Sequence, residues 1–564
     1  MAVTLGAGDL LEHEATLDEV VALLGSYSLG EVVEFCGRVS SVLYSVGNQD
    51  QIRGQSAIID AVLGSGSRLS HRFLELREQH MRDGAAEAVI FHHIQLLTAL
   101  KIAFLTLPPS FDREAGRPLN EMVAALLLIS DLLTSLPEEF QALGRNDRVG
   151  RERRILYVLA NGLFHRSRSG IQDFVRSYDL LMGGNEPSHR ERVRRATGYD
   201  PEQYWFALIG LHAYFASIDE GTLANRPAVI SRQNHFSRNL QLSQEESCEL
   251  VDLVSAPVEM LQAEIRSSYS LSNLRPFHLT PIARHPLVSF NDDAVCASMH
   301  LLSARITTGL YHVHLDRGTF TPDERGRYQQ ELGDRFGEHV TGVLRDLYPD
   351  TTRRLVDDDA LRSAMGDGAR RADCLCLFGD RVLVVEAKAS PFPADVRAGL
   401  DFTALADKVD QVFVEGMRQI EATVNWVRTS RESELDVPTS ATFFPLVVTL
   451  DDLPMNPWLY EFIEDRLRAA GLWRSFPSAP FQAMDIDELE MMPGIIEASG
   501  RSLVELIALK CASGSKHVSF KSFFAESYPE WVEASTPRSR TSERFDELSS
   551  ELLAHFRRLR REDG

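Results

Sequence analysis

Lysine and cysteine are both scarce in this chain of 564 residues. Only six of the 59 basic residues are lysines, so arginine supplies nearly all of the positive charge. The six cysteines are scattered and none belongs to a Cys-x-x-Cys pair, which excludes the common zinc-ribbon and dithiol redox motifs. Cys374 and Cys376 alternate with apolar neighbours, and we expect them to pack as small apolar residues.

Long apolar segments are also missing. The longest apolar run, residues 122–136, is too short for a transmembrane helix and contains Asp131. The N-terminal segment carries acidic side chains and lacks the basic and apolar regions of a signal peptide. These features predict a cytoplasmic protein that makes no contact with a membrane.

The balance of charge is acidic, with a formal net charge of −22 at pH 7. Such a charge argues against diffuse electrostatic binding to nucleic acid, because that binding depends on contacts between basic side chains and phosphates. Arginines cluster at 145–154, 189–195 and 556–561. We interpret these clusters as solvated helix faces, and a local basic groove is the alternative.

Hydrophobic periodicity divides the chain into four regions. Residues 1–225 are predicted to form a helical domain that senses or selects a target, binds a protein partner or forms a homo-oligomer. Residues 226–320 are a mixed connecting region, residues 321–515 an α/β domain, and residues 516–564 a helical tail.

The connecting region contains two motifs. An Asn-Asp-Asp turn joins two short apolar runs and predicts a β-hairpin within residues 286–298, followed by a helix. His312 and His314 would share one face of a strand and could ligate a metal there, but no third ligand is indicated nearby. We therefore interpret them as ordinary, partly buried histidines.

The stretch RRADCLCLFGDRVLVVEAKAS, residues 370–390, carries the strongest signal in the chain. Two short apolar runs flank Gly379 and Asp380, a pair that suits the two-residue, type II′ turn of a β-hairpin. This turn places Asp373 directly opposite Glu386. Directly opposed side chains have Cβ atoms about 4.5–5.5 Å apart, where like charges destabilise a sheet. Lys388 shares the face of Glu386, because alternate residues of a strand point the same way.

Two facing carboxylates indicate a divalent cation. Mg²⁺ prefers oxygen ligands and commonly uses one or two carboxylates together with water and substrate phosphate. Asp373, Glu386 and Lys388 therefore predict a metal-dependent site for phosphodiester chemistry. The alternative is an accidental surface pair, in which Lys388 forms a salt bridge with one of the two acids.

The order of helix, Asp-bearing strand, Glu-x-Lys strand, helix and strand resembles the PD-(D/E)XK nuclease superfamily, which has the restriction-endonuclease-like fold. This resemblance implies that the α/β domain contains a mixed central sheet flanked by helices. The resemblance covers roughly residues 321–515, and its motif is short. It implies that Asp373 and Glu386 bind Mg²⁺ or Mn²⁺ and that the carbonyl oxygen of Ala387 is a further ligand. It also implies that Lys388 orients or activates the attacking water.

Many members of that superfamily also place a glutamate on the preceding helix. Here Glu338 is the candidate and Glu331 the second choice; Glu338 lies nearly opposite the apolar stripe, so a plain solvated glutamate is the alternative. The chain departs from the family pattern at two points. Ala372 stands in place of proline, and Gln411 is followed four residues later by Glu415 instead of tyrosine. The second departure argues against end-dependent degradation.

The resemblance implies a metal-dependent endonuclease that hydrolyses phosphodiester bonds, with DNA as the expected substrate and RNA as the alternative. A large helical region joined to such a domain would suit a role in bacterial defence against foreign DNA. The competing hypothesis is a catalytically silent regulatory protein on the same fold that binds nucleic acid or protein, which the acidic charge favours. The intact trio of Asp373, Glu386 and Lys388 favours the nuclease.

Overall fold

The chain forms a mixed α/β protein that divides into two compact units. The first unit consists of Met1–Arg145, Phe164–Thr319 and Arg544–Gly564, and the second of Asn146–Leu163 and Phe320–Glu543. The sequence-based division into four regions is finer than these two units and stays a prediction. The computed structural model describes residues 3–11, 15–46, 51–63, 68–82, 88–112, 119–142, 150–152, 155–156, 170–182, 187–219, 221–223, 226–240, 242–273, 279–315, 318–347, 355–397, 401–429, 435, 437–451, 454–472, 478–534 and 544–550.

The first unit is mostly helical. Its described α-helices are Ala7–Leu11, Leu17–Leu24, Leu29–Val46, Gln51–Leu63, Arg68–Arg82, His93–Thr106, Asn120–Ala142, Ile171–Ser177, Pro187–Thr197, Pro201–Ala216, His235–Leu240, Gln244–Asp252, Val258–Ser268, Thr280–Arg284, Met299–Ile306 and Gly309–Val313. Tyr178–Met182 is a π-helix and Leu271–Asn273 is a 3₁₀-helix.

Two small sheets accompany these helices. Strands β1 (Val3–Thr4) and β2 (Ala88–Val89) form a parallel pair. The second sheet contains β3 (Val229–Ser231), β4 (Ser255–Pro257), β5 (Leu287–Phe290) and β6 (Asp293–Cys296), in the order β3-β6-β5-β4. In this sheet β4 and β5 are parallel and the other neighbours are antiparallel.

A membrane-spanning helix has to be both long and apolar. Over the described ranges, no single helix meets both requirements. The helices Leu17–Leu24 and Leu29–Ser45 meet them only when they are taken together, and they are bent by 102° relative to each other.

The hairpin predicted within residues 286–298 is confirmed, and the helix Met299–Ile306 follows it. Asn291, in its turn, has φ of 53°, a left-handed conformation that asparagine tolerates. The strand interpretation of His312 and His314 is wrong, because Gly309–Val313 is a short helix. The apolar residues of this segment suit one turn of a helix as well as a strand, so the alternating pattern did not discriminate between them.

The arginines of cluster 189–195 are held by other groups of the first unit. Arg190 pairs with Glu202, and Arg194 pairs with Asp200. Arg192 and Arg195 donate to main-chain carbonyl oxygens at positions 314 and 319. These ion pairs and hydrogen bonds tie the arginines to neighbouring segments of the first unit. Cluster 556–561 lies outside the described residues, as does most of cluster 145–154.

A five-stranded sheet forms the centre of the second unit. Its strands are β7 (Leu355–Asp357), β8 (Cys374–Phe378), β9 (Arg381–Lys388), β10 (Thr442–Thr449) and β11 (Gln482–Asp485), in the order β11-β10-β9-β8-β7. Strands β9, β10 and β11 are parallel, whereas β8 is antiparallel to both of its neighbours. The predicted mixed sheet is therefore present.

The described helices of the second unit are Pro322–Leu347, Asp358–Met365, Ala394–Arg397, Phe402–Val409, Glu415–Thr429, Pro457–Ala469, Ile486–Ser499, Leu503–Ala512, Phe520–Ser527 and Pro529–Ala534. A π-helical segment, Asp410–Val414, joins two of them. We call Pro322–Leu347 the long helix and Glu415–Thr429 the covering helix. Beyond Ala534, the predicted tail is described only at residues 544–550.

Helices cover both faces of this sheet. On one face, Leu375 and Val384 share a buried apolar cluster with Met417 of the covering helix. On the other face, the Thr341 hydroxyl of the long helix contacts the Cys374 thiol. Adjacent residues of a strand point to opposite faces, so positions 374 and 375 show that the sheet lies between the two helices.

The hairpin of β8 and β9 has the predicted register. Phe378 lies opposite Arg381 at the turn, and Cys374 lies opposite Val385 at the far end. A type II′ turn requires a positive φ at its first central residue and a negative φ at its second. Gly379 has φ of 68°, and the φ of Asp380 is not positive, so the turn meets this requirement. The local sequence therefore fixes which residues reach the end of this hairpin.

Candidate functional site

The ladder between β8 and β9 stops one residue before the predicted acidic pair. The last ladder pair is Cys374 and Val385, and the main-chain N–H of Asp373 donates to the Val385 carbonyl at 3.1 Å. Asp373 Oδ2 then accepts the main-chain N–H of Ala387 at 2.7 Å. A side-chain carboxylate thus takes the hydrogen bond that a continuing strand would have accepted, which holds Asp373 beside the end of β9.

Glu386 is deeply buried, with only 2% of its surface exposed. Its Oε1 accepts a hydrogen bond from Lys388 Nζ at 2.5 Å. Its Oε2 is also buried but accepts no hydrogen bond from any described residue. Burial first, and the neighbouring Asp373 second, raise the pKa of the Glu386 carboxyl well above its usual value. Burial likewise raises the pKa of Asp373, against the opposing effects of the Ala387 N–H and Lys388.

The covering helix holds Lys388. Lys388 Nζ donates to Gln419 Oε1 at 2.6 Å, and Gln419 Nε2 donates to the Arg371 carbonyl at 3.4 Å. One turn later, Thr423 Oγ1 accepts the N–H of Ala372 at 2.7 Å. Gln419 and Thr423 therefore tie the segment before Asp373 to the lysine, and the sequence analysis named neither residue.

Gln419 and Thr423 are polar residues four positions apart, so they lie on the same side of the amphipathic covering helix, and this spacing could have indicated them from the sequence. Gln411 and Glu415 have the same spacing, and the family pattern pointed to Gln411 instead. Gln411 instead accepts a hydrogen bond from Lys408 at 3.3 Å.

Two glycines allow the flanking helices to approach the carboxyl pair. A Cβ atom on Gly337 of the long helix would lie 3.1 Å from Asp373 Oδ1. A Cβ atom on Gly416 of the covering helix would lie 3.4 Å from Glu386 Cγ. Close packing of both helices on the acids excludes bulk water from much of the site.

The predicted helical glutamate is not brought into this cluster. Glu338 follows Gly337 on the long helix, but its side chain is exposed and makes no described hydrogen bond with Asp373 or Glu386. Glu331 lies almost two turns earlier and is half-buried. The structure brings together Asp373, Glu386 and Lys388. A role for Glu338 or Glu331 at this site stays a prediction.

The predicted carbonyl ligand at Ala387 lies on the side of β9 that faces Asp373. The Leu450 N–H donates to the Lys388 carbonyl at 3.1 Å, so the main chain of residue 388 is directed toward β10. Main-chain groups of adjacent strand residues point to opposite sides. The main chain of Ala387 is therefore directed away from β10, in agreement with its N–H bond to Asp373.

The oxygen atoms of Asp373, Glu386 and the Ala387 carbonyl are suitable ligands for a hard divalent cation. A carboxylate oxygen without a hydrogen-bond donor, a second carboxylate and a main-chain carbonyl are all oxygen ligands of the kind that Mg²⁺ uses, with water and phosphate completing its coordination. The set has only two acidic side chains, and within the described ranges no group of three or more His, Cys, Asp and Glu residues has metal-binding geometry.

Comparison of the chain with models of known families, with curated proteins and with solved structures found no match.

Proposed function

We propose that the chain is a metal-dependent phosphodiesterase with a restriction-endonuclease-like second unit, and that DNA is its substrate. The observation that carries this proposal is the pair formed by half-buried Asp373 and buried Glu386 at the end of two strands, with one Glu386 oxygen lacking a donor among the described residues and Lys388 beside it. An unsatisfied buried carboxylate costs about 1–3 kcal/mol or more. A proton on Glu386 that is shared with Asp373 offsets this cost without metal, and a bound cation would offset it with both acids ionised.

Asp373, Glu386 and the Ala387 carbonyl would hold the cation. When bound, Mg²⁺ supplies positive charge that polarises the attacked phosphate and promotes the ionisation of water. Lys388 is held by Gln419 at one side, so its ammonium has a fixed position beside the acids. From there it offsets the negative charge that develops on the phosphate and orients the attacking water.

A silent binding protein is the second candidate. In its support, Lys388 donates to both Glu386 and Gln419, so much of its hydrogen-bonding capacity is used within the protein. The net charge of −22 also disfavours tight binding to a polyanion.

Cleavage assays test the proposal. Linear, circular and single-stranded DNA, and RNA, are incubated with the protein and Mg²⁺ or Mn²⁺. We expect Lys388→Ala and Glu386→Gln to lower the rate by at least about 10²-fold, the usual effect of removing a group that stabilises transition-state charge. Glu338→Gln is the matched variant with an exposed side chain, and it separates the predicted helical ligand from the trio.

Activity that persists in both Lys388→Ala and Glu386→Gln refutes this site. Absence of activity in every protein, without metal-dependent stabilisation, supports the silent binding protein. Absence of activity together with metal-dependent stabilisation that Asp373→Ala removes indicates an intact site that needs a trigger.

A further inference from the structure

A second polar cluster lies at the same end of the sheet as the carboxyl pair. Ser390 follows Lys388 by two residues, which span at most about 7 Å. On the neighbouring strand, Thr449 is paired with Lys388, and Asp451 follows Thr449 by two residues. The segments that leave β9 and β10 therefore begin side by side, next to the proposed site.

Asp451 joins these two segments. It is buried, with 2% of its surface exposed, and its Oδ2 accepts the Phe392 N–H at 2.9 Å. The same oxygen accepts a hydrogen bond from Arg397, which also donates to the Phe392 carbonyl at 3.2 Å. The carboxylate of Asp451 thus has Arg397 as its counter-charge.

Lys408 lies in this cluster with neutral hydrogen-bond partners. It is buried, with 6% of its surface exposed, and its Nζ donates to Ser390 Oγ and to Gln411 Oε1. Asp451 and Arg397 are close enough to influence it, but neither forms a hydrogen bond or an ion pair with Nζ. Burial lowers the pKa of Lys408 to about 8. At neutral pH the cluster therefore buries a positive charge that no carboxylate of a described residue contacts directly.

Two hydrogen-bond donors of this cluster, one on Lys408 and one on Ser390, have no acceptor among the described residues. An ammonium has three N–H donors, and Lys408 uses two of them. Ser390 accepts from Lys408, and its own O–H is bonded to no described acceptor. One N–H and one O–H side by side, with one excess positive charge, suit the oxygens of a phosphate.

Lys510 shows how a buried lysine of the same unit is satisfied when its role is structural. Its pKa is also lowered to about 8 by burial, and its Nζ donates to Gln482 Oε1 at 2.7 Å and to the Lys516 carbonyl at 3.2 Å. In addition, Nζ lies 4.5 Å from the centre of the Phe520 ring. Among the described residues, Lys510 therefore has three partners and Lys408 has two.

We propose that Lys408 and Ser390 bind a phosphate of the substrate strand adjacent to the phosphate that is cleaved. This inference rests on the proposed function for its choice of substrate. Lys408 is a substrate-binding residue that fixes the position of the strand, and the cleavage step itself belongs to the trio of Asp373, Glu386 and Lys388.

The salt dependence of binding tests this proposal. Fluorescence anisotropy measures the Kd of the full chain for a labelled oligonucleotide, single-stranded and duplex, over a series of salt concentrations. Ca²⁺ replaces Mg²⁺ to limit cleavage. Loss of one phosphate contact lowers the slope of log K against log salt by about 0.7–0.9, which is about five- to eightfold in Kd near 0.1 M salt. We expect this change in Lys408→Gln and not in Lys510→Gln or Lys408→Arg.

Melting curves and a second variant keep the test decisive if Lys408→Gln is poorly folded. Ser390→Ala retains the ammonium, so we expect a raised Kd with an unchanged salt slope. The proposal is overturned if Lys408→Gln melts and binds like the wild type, if Lys510→Gln loses as much slope, or if the wild-type chain binds no oligonucleotide. A wild-type chain that binds with a Lys408-dependent slope but does not cleave refutes phosphodiester hydrolysis and leaves the phosphate site standing.

Discussion

Replacement of Glu386 by glutamine should stabilise the protein when metal is chelated. The wild-type side chain is 2% exposed, and its Oε2 has no hydrogen-bond donor among the described residues. Asp373 is near enough to raise the pKa of Glu386. In Glu386→Gln, an N–H₂ group can take the place of Oε2 and donate toward Asp373, while the amide oxygen still accepts from Lys388.

The expected gain is about 1–3 kcal/mol, the usual cost of a buried polar atom without a partner. Lys388 does not lose its only counter-charge, because Asp373 also acts electrostatically on it. For a unit of 150–250 residues, each kcal/mol shifts the melting temperature by about 2–4 °C. We therefore expect Glu386→Gln to melt roughly 2–12 °C above the wild type in the presence of a chelator.

The gain should increase with pH. The pKa of Glu386 is raised in the folded state, so the folded protein binds this proton more tightly than the unfolded chain does. The stabilisation that the protonated acid provides is complete below its unfolded pKa of about 4.5, and it is lost as pH rises through the higher folded pKa. Glutamine does not titrate, so the difference between variant and wild type should be smallest near pH 4.5 and larger at neutral pH.

Calorimetric melting in a chelator at acidic and neutral pH measures both effects. Glu338→Gln is the control, because its side chain is exposed and the same substitution should change stability by less than about 0.5 kcal/mol. A Glu386→Gln protein that melts below the wild type in chelator would refute the argument that the carboxyl pair is destabilising without a cation. Added Mg²⁺ or Mn²⁺ should stabilise the wild type more than the variant.

Three further substitutions test the support of the site. Gln419→Ala removes the acceptor at 2.6 Å from Lys388 Nζ, and initial cleavage rates should fall about 10- to 100-fold; an unchanged rate would contradict the positioning role. Gly337→Ala places a Cβ at 3.1 Å from Asp373 Oδ1, so chemical denaturation should show a loss of about 1–3 kcal/mol and metal should stabilise the variant less. Thr423→Val leaves the main-chain N–H before Asp373 without its acceptor at 2.7 Å, which should cost about 1–3 kcal/mol in urea unfolding, whereas Thr423→Ser should retain wild-type stability.

The acidic hairpin was predictable because its determinants are local. Gly379 fixes the turn, the turn fixes the register, and the register brings the start of β8 to the end of β9. The prediction failed in one detail: Asp373 leaves the ladder and bonds to Ala387 through its side chain. At the preceding residue, Thr423 of the covering helix accepts the N–H of Ala372, a contact that the local sequence does not specify.

The incorrect strand around His312 and His314 has a similar explanation. A short alternating segment satisfies both periodicities, and the surrounding packing selects the helix Gly309–Val313. Glu338 illustrates the limit of a helical wheel, because the wheel gives a direction around the helix axis but not the element that lies there.

The sequence by itself determined the hairpin and the identity of the two acids and the lysine at its end. Turn chemistry and alternation of apolar residues act over a few positions, and they need no knowledge of distant segments. Only the tertiary structure decided which side chains complete the site. Gln419 reaches Lys388 across 31 positions of chain and Lys408 reaches Ser390 across 18, and such contacts depend on how the helices pack against the sheet.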